Sequence, residues 1–318
     1  MKVTVVGAGG NVGSTVALSV AQRDFAKEVI AVDLERKEDD KTFYPSKGRA
    51  LDQWEASPIH LFDTRVKGTT DYADTANSDV CVITAGVPRR PGMSRDDLLE
   101  INANIVRSVT EQLVKHSPDT IIIVVSNPLD VMVQVAKDAS GLPYEKVMGM
   151  AGILDTARYR AFIAEELDVS PKDIQALLMG GHGDTMVPLP RFTTLAGMPI
   201  THFISDERLE EIVNRAKKGG GEIVGLMGTS AWYAPGAAAA QMVEAILLDQ
   251  NRIFPVCAHI DGQYGVDDLY IGVPVKLGKG GIKEVIEVEL TKEESDLMHQ
   301  SADAVRGTLN DFKKLMNK

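Results

Sequence analysis

The chain has 318 residues, of which 44% are hydrophobic and 25% are charged, so it can bury a large core, and its length favours about two domains. The net charge of −11 disfavours the basic surface that nucleic-acid phosphates attract, and we expect no nucleic-acid partner. Two cysteines, Cys81 and Cys257, are more typical of buried free thiols in a reducing compartment than of a disulfide or a metal site.

The first half of the sequence alternates short apolar runs with helical patterns. Continuous apolar runs predict parallel strands, because strands covered on both faces of a sheet carry no polar alternation. Residues 12–22 and 94–115 have helical periodicity, and the second segment has Ser94 as its N-cap. This order predicts an α/β fold with an N-terminal doubly wound parallel sheet, the Rossmann arrangement. The predicted strands are 3–6, 28–33, 79–86 and 120–128, and the polar segment 36–48 is predicted to be a surface loop.

The second half has a different pattern, which predicts a C-terminal α+β domain. Its last strand candidate alternates apolar and polar residues, as a half-exposed antiparallel strand does. The small apolar residues of 235–250 favour either a subunit interface or the core. The boundary is predicted near residue 148, which gives domains 1–148 and 149–318. Predicted strands are 173–180, 273–278 and 282–290, and predicted helices are 205–218, 229–250 and 291–317.

A glycine-rich turn follows the first predicted strand, in the stretch VVGAGGNVGST. Backbone N–H groups in such a turn can approach a pyrophosphate, and the helix N-terminus adds partial positive charge. Read as G-x-G-x-x-G, the motif would place the bulky Val12 where the helix packs on the strand. The spacing G-x-x-G-x-x-G therefore fits better, with one further glycine in the turn. The predicted phosphate-binding residues are Gly7, Gly9, Gly10, Asn11, Val12 and Gly13.

Asp33 ends the second predicted strand, 20 residues after Gly13. A carboxylate there accepts hydrogen bonds from a ribose diol and repels a 2′-phosphate, which favours NAD over NADP. Arg36 and Lys37 lie close by in sequence and leave binding of NADP open.

One of the six histidines, His182, follows an apolar strand and lies between glycines in GGHGD. Asp155 and Arg158, in LDTARYR, share one face of a predicted helix at i and i+3. An aspartate can orient a histidine and stabilise its cation, and an arginine can bind a carboxylate through two parallel hydrogen bonds. The alternative for Asp155 and Arg158 is a surface ion pair. The other five histidines are predicted to be surface or core residues without a catalytic role.

Two further segments complete the predicted site. Asn127 ends the strand 120–128 at the carboxyl edge of the sheet, where ligands bind in such folds. Arg89, Arg90 and Arg95 lie in TAGVPRRPGMSR, a loop with glycine and proline hinges that predicts a mobile lid over an anionic substrate. A solvated basic loop is the alternative.

The motifs ITAGVPRRPGMSR, SNP, LDTARYR and GGHGD resemble the lactate/malate dehydrogenase family over essentially the whole chain, most closely its lactate-dehydrogenase-like malate dehydrogenases. The resemblance implies that His182 is the general base and acid, paired with Asp155. It implies that Arg158 binds the C1 carboxylate of the substrate and that Arg95 polarises the carbonyl. The lactate enzymes typically have glutamine at the position of Arg89, so the arginine here would bind a second carboxylate of the substrate. Arg90 is the alternative residue for this role.

The resemblance also assigns the remaining contacts. Asn127 would contact the substrate oxygen near the nicotinamide, and Ser230 would form a wall of the substrate pocket. Cofactor contacts would include Asp33, Asn102, Val125, Ser126 and Asn127. The implied cofactor is NAD, no metal is needed, and residues 1–148 and 149–318 would be the NAD-binding and catalytic domains. Two features depart from the nearest relatives, namely the extra glycine of the turn and the long polar segment after Asp33.

The implied reaction is reversible hydride transfer between (S)-malate and NAD⁺, giving oxaloacetate and NADH. A lactate or other 2-hydroxyacid dehydrogenase and a non-enzymatic NAD-binding protein are the alternatives. Short-chain dehydrogenases are excluded, because no tyrosine has a lysine four residues later. The resemblance implies a homo-tetramer, with a homo-dimer possible. No run of about 18 apolar residues predicts a membrane span, and the N-terminus leaves no room for a signal peptide, so a cytoplasmic protein is expected.

Overall fold

The computed structural model describes residues 1–87 and 95–316, and of Arg95 only the backbone. In the first part of the chain the elements are β1 Lys2–Val6, α1 Asn11–Gln22, β2 Glu28–Val32, β3 Arg36–Glu38, β4 Lys41–Phe43, α2 Pro45–Glu55, α3 Ser57–His60, β5 Arg65–Thr69, β6 Val80–Ile83, α4 Arg95–His116, β7 Ile121–Val124, α5 Leu129–Ser140 and β8 Val147–Gly149. They continue with α6 Gly152–Leu167, β9 Ile174–Gln175, β10 Leu178–Gly180, β11 Met186–Pro188, β12 Thr194–Leu195, β13 Met198–Pro199, α7 Asp206–Met227, α8 Tyr233–Leu247, β14 Arg252–Ile260, β15 Leu269–Gly278, β16 Gly281–Val285 and α9 Lys292–Met316.

Six parallel strands form the doubly wound sheet that the apolar runs predict. Their spatial order is β5-β2-β1-β6-β7-β8, which is 3-2-1-4-5-6 in chain order. Val5 lies between Ala31 and Val82 in register, and all three side chains are buried because helices cover both faces. The carboxyl ends of these strands therefore meet at one edge, which carries the loops that form the candidate site.

The sheet continues past the predicted domain boundary. β14 pairs antiparallel with β8 through Cys257 and Gly149, and β15, β10 and β11 follow it. Gly149 allows this approach, because a Cβ there would lie 3.0 Å from Cys257 Cβ on β14 and 2.7 Å from a side-chain carbon of Val133 on α5. The strand β14 is absent from the sequence prediction.

Several predicted segments differ from the structure. The helix predicted over 205–218 continues to Met227 as α7, and the helix predicted over 229–250 begins only at Tyr233, as α8. Residues 36–48 form the hairpin β3–β4 and the start of α2 at Pro45 rather than only a surface loop, and Arg36 lies over the Phe43 ring. Residues 173–180 form two short strands, β9 and β10. The predicted strand 282–290 ends at Val285, because the Tyr264 hydroxyl donates to the Ile286 carbonyl and accepts the N–H of residue 288.

Helix α8 belongs to the core, which decides between the two alternatives for residues 235–250. A Cβ on Gly236 would lie 2.5 Å from the side chain of Thr15 on α1. The alanines Ala238, Ala239 and Ala240 are buried between α8 and its neighbours. None of the described helices combines the length and apolar character that crossing a membrane requires.

Candidate active site

His182 and Asp155 form a hydrogen-bonded pair at the centre of the site. The His182 loop follows β10, and its glycines Gly180 and Gly183 have φ of +82° and +103°, which other residues rarely adopt. Asp155 lies in the first turn of α6, and its Oδ2 is 2.9 Å from Nδ1 of His182. With Nδ1 bound to Asp155, Nε2 remains the nitrogen that can exchange a proton with a substrate.

The electrostatics of the pair favour a protonated histidine. Burial opposes the imidazolium, but the Asp155 carboxylate outweighs that effect and raises the pKa of His182 above its ordinary value. His182 is therefore suited to accept a proton and to return it near neutral pH.

Arg158 lies one helical turn after Asp155, and its guanidinium is 3.4 Å from the other carboxylate oxygen. Its side chain lies along helix α7, where a Cβ on Gly219 would be 3.1 Å from Arg158 Cδ. Among the described residues no acceptor bonds to the buried Nε of Arg158. The guanidinium therefore has donor capacity left for an anion, and a carboxylate matches its planar geometry.

The glycine turn has the close contacts of a dinucleotide cradle. Gly7 has φ of +85°, and a Cβ on Gly13 would be 2.4 Å from the Gly7 carbonyl oxygen. Gly9 has another role, because its N–H donates to Asp33 Oδ2 at 2.7 Å and a Cβ would meet that oxygen at 2.8 Å. The extra glycine of the turn thus makes space for the Asp33 carboxylate, whose other oxygen accepts the N–H of Leu34.

Three adjoining cavities run along the carboxyl edge of the sheet. The first, of about 610 Å³, contains Asp33 and shares Gly7 and Gly10 with the second, of about 470 Å³. The third, of about 510 Å³, contains His182 and Arg158. The second and third cavities share Val12, Val125, Asn127 and Ser230. An acidic group at one end, the glycine cradle in the middle and His182 at the other end fit an extended dinucleotide beside a small anionic substrate.

Asn102 and Ser126 join the loops that form the floor of this groove. Asn102 accepts the N–H of Val87 at 2.8 Å and donates to the Asn127 carbonyl at 2.8 Å. Ser126 donates to the Ala85 carbonyl at 2.6 Å. Both residues, and Asn11, line the second cavity, and their side-chain bonds hold its shape.

The predicted lid lies outside the described residues. This applies to Arg89 and Arg90, to the predicted N-cap Ser94, and to the side chain of Arg95, at which α4 begins.

Sequence reasoning missed Lys217 and Lys218 of α7, which line the cavity of His182. The available signal is the run KKGGG, in which the two lysines end the predicted helix 205–218 and three glycines follow. Helix α7 continues through these glycines, which are unfavourable in a helix unless something must pack closely.

Two family models cover nearly the whole chain. Residues 1–149 match the lactate/malate dehydrogenase NAD binding domain, and residues 153–316 match the lactate/malate dehydrogenase alpha/beta C-terminal domain. The chain is 64% identical over 315 residues to a malate dehydrogenase of Salinibacter ruber, covering 99% of this chain and 98% of that protein. It is 58% identical over 311 residues to one of Cytophaga hutchinsonii, covering 98% and 97%.

Solved structures agree with these matches. The malate dehydrogenase structure from Salinibacter ruber has a TM-score of 0.93 at 61% identity, covering 100% of this chain and 99% of that one. A lactate dehydrogenase of Cryptosporidium parvum, complexed with lactic acid and nicotinamide adenine dinucleotide, has a TM-score of 0.90 at 37% identity, covering 100% and 98%. On these matches and this fold, the chain belongs to the lactate/malate dehydrogenase family.

Proposed function

We propose that this protein catalyses the reversible oxidation of (S)-malate to oxaloacetate with NAD⁺. The observation that carries the proposal is the cavity in which the His182–Asp155 pair and Arg158 meet, continuous with the groove that ends at Asp33. The malate dehydrogenases to which the chain is similar support the choice of substrate.

The chain's own residues handle the proton and the substrate charge. Neutral His182 removes the hydroxyl proton of malate through Nε2, and the Asp155 carboxylate stabilises the resulting imidazolium. In the reverse direction protonated His182 donates that proton to the oxygen of oxaloacetate. When bound, NAD⁺ supplies the acceptor for the hydride from C2 of malate.

Arg158 binds the C1 carboxylate in this proposal. Its guanidinium faces the cavity of His182, and its buried Nε has no acceptor among the described residues. Asn127 contacts the substrate oxygen, and Ser230 forms the opposite wall of the same cavity. Together these groups hold C2 of the substrate facing the nicotinamide side of the groove.

Specificity for a dicarboxylate is assigned to Arg89, with Arg95 polarising the carbonyl. An arginine enclosed beside the methyl group of pyruvate would be a charge without a partner, at a cost of several kcal/mol. Lys217 and Lys218 add positive charge to the described part of the cavity and favour the more anionic substrate.

The cofactor assignment depends on Asp33 and the glycine turn. Gly7, Gly10 and Gly13 supply the close backbone approach, and Asp33 faces the first cavity, where a ribose diol would bind. Arg36 and Lys37 form exposed ion pairs with Glu38 and Glu35, which oppose binding of a 2′-phosphate only weakly, so the preference for NAD rests on the Asp33 carboxylate.

Steady-state rates with oxaloacetate and with pyruvate, each with NADH and NADPH, test the proposal. Oxaloacetate with NADH should be turned over most efficiently, and equal efficiency with pyruvate would contradict the proposal. Arg89→Gln should lower the preference for oxaloacetate by about 10²- to 10⁴-fold. Arg90→Gln is the matched control and should keep it; unchanged selectivity in Arg89→Gln would refute the role of Arg89.

The assembly is proposed to be a homo-tetramer, with a homo-dimer as the alternative. Large apolar side chains are exposed on α2, on α3 and after it, at Leu51, Ile59 and Leu61, and at the end of α7 at Leu226. Buried between subunits, they would contribute to a stable interface. Sedimentation equilibrium decides the state, and a monomer at micromolar concentration would contradict the proposal.

Two further assignments accompany the function. Residues 1–148 are proposed as the NAD-binding domain and residues 149–318 as the catalytic domain; the family matches over residues 1–149 and 153–316 support this division. A cytoplasmic location is proposed because Cys81 and Cys257 are free and buried, as in a reducing compartment.

A further inference from the structure

A second carboxyl group contacts His182, at the backbone N–H rather than at the imidazole that pairs with Asp155. Asp130 is the second residue of α5, just after the end of β7, and its Oδ2 accepts the N–H of His182 at 3.2 Å. The preceding residue has no side chain, and a Cβ on Gly181 would lie 3.5 Å from the same oxygen. The loop GGHGD thus brings its backbone directly onto a carboxylate from another part of the chain.

Two successive N–H groups of this loop are held by side chains of two different helices. The Gly181 N–H donates to Ser301 Oγ on α9 at 2.8 Å, and the His182 N–H donates to Asp130 on α5. The imidazole is held by Asp155 on α6 at 2.9 Å. Three helices therefore fix one histidine, and two of the three anchors are carboxyl groups.

We propose that Asp130 is a positioning residue for His182, which fixes the backbone of the histidine and whose charge stabilises the protonated imidazole. The role of Asp130 in catalysis rests on the proposed function, whereas the effect of Asp130 on the His182 imidazole does not depend on it. Among the described residues no lysine or arginine forms an ion pair with Asp130, and its buried Oδ1 has no donor. Its field is therefore not cancelled by a cation of its own.

The charge state of Asp130 has identifiable determinants. Burial, the largest effect, raises the pKa of Asp130 above its ordinary value, and the Asp155 carboxylate adds to this, whereas the Cys257 thiol, the His182 imidazolium and the His182 N–H oppose it by favouring the carboxylate. The N-terminus of α5 adds a favourable dipole. Among the described residues, the charged groups around His182 are Asp155 and Arg158 on α6, Asp130 on α5, Lys217 and Lys218 on α7, Asp311 on α9, and Asp184 on its own loop.

The test is the titration of the His182 imidazole, followed by NMR at Cε1–H in the protein without substrate and assigned with His182→Asn. Asp130→Asn keeps an acceptor for the His182 N–H but removes the charge, so the pKa of His182 should fall by about 0.5–1 unit. Ser301→Ala removes the neighbouring hydrogen bond to the Gly181 N–H without changing any charge. The pKa of His182 should therefore stay at the wild-type value, even if the rate of malate oxidation changes.

The same shift should appear in the kinetics. The acid limb of kcat/KM for malate oxidation should move to lower pH in Asp130→Asn, because the base loses a stabilising charge when protonated. Asp130→Glu, which restores the charge, should move the limb back toward the wild-type position. An unchanged His182 titration in Asp130→Asn, or an equal shift in Ser301→Ala, would overturn the proposal.

Carboxyl ¹³C NMR of the wild-type protein gives an independent measurement if Asp130→Asn does not fold. If this signal shows that Asp130 stays protonated between about pH 6 and 8, Asp130 carries no charge there and the proposal is refuted. Because neither NMR readout requires turnover, a failure of malate oxidation would contradict only the proposed function.

Discussion

The close approach of Gly13 to the Gly7 carbonyl predicts that Gly13→Ala lowers both the stability of the protein and its affinity for NADH. Gly13 lies in the first turn of α1, where alanine would ordinarily stabilise the helix by about 1 kcal/mol. Here the new Cβ would lie 2.4 Å from the Gly7 carbonyl oxygen and 2.7 Å from Thr84 Oγ1. The first contact is about 1 Å shorter than an ordinary one, and because Gly7 contributes backbone atoms, it cannot rotate away.

The helix start must therefore move away from the turn. Overpacking of this kind costs about 1–3 kcal/mol, so we expect a net loss of about 1–2 kcal/mol in the free energy of unfolding. The midpoint of thermal unfolding should fall by a few degrees, on the order of 2–4 °C per kcal/mol. NADH affinity should fall about 10- to 100-fold, because the displaced N–H groups are those that bind phosphate.

Gly307→Ala is the matched control for this substitution. Gly307 also lies in a helix, α9, but a Cβ there would meet no atom within 4 Å. That variant should be stabilised by about 0.5–1 kcal/mol and should bind NADH normally. Differential scanning calorimetry and NADH fluorescence titration measure both effects. If Gly13→Ala is stabilised like Gly307→Ala and binds NADH as tightly as the wild type, the packing argument is refuted.

Three further predictions concern charge. Asp155→Asn should lower kcat for malate by about 10²- to 10⁴-fold and move the acid limb of the pH–rate profile to lower pH, since Asp155 favours the His182 imidazolium; an unmoved limb would count against this. Asp33→Ser should raise the NADPH:NADH ratio of kcat/KM by about tenfold or more, and an unaltered ratio would show that Asp33 does not select the cofactor. The Lys67 and Thr69 side chains lower the pKa of Asp74, so its stabilising contribution is present above its ordinary pKa of 3.8 and is lost as the pH falls below it. Urea unfolding should therefore find Asp74→Asn less stable than wild type at pH 7, with a gap that closes below pH 3.8; a pH-independent gap would contradict the linkage.

The residues of the candidate site could be proposed from the sequence because their signals are local. Asp155 and Arg158 are three residues apart on one helix; the structure places Arg158 in the cavity of His182 and Asp155 3.4 Å from the Arg158 guanidinium. The apolar runs of the parallel strands also depend only on near neighbours, and their strand assignment is confirmed at β1, β2, β6 and β7. The exposed hairpin β3–β4 and the strand β14 were missed, because their stability depends on partners that their own residues do not reveal.

By itself the sequence determined the fold class, the family and the residue types of the site, because periodicity and short motifs are properties of consecutive residues. Only the tertiary structure decided how distant residues combine. Gly9 makes room for Asp33 from 24 positions away, and the His182 N–H donates to Asp130 across 52 positions. Such contacts depend on which strand ends share one edge of the sheet, and that follows from strand order and register rather than from any local pattern.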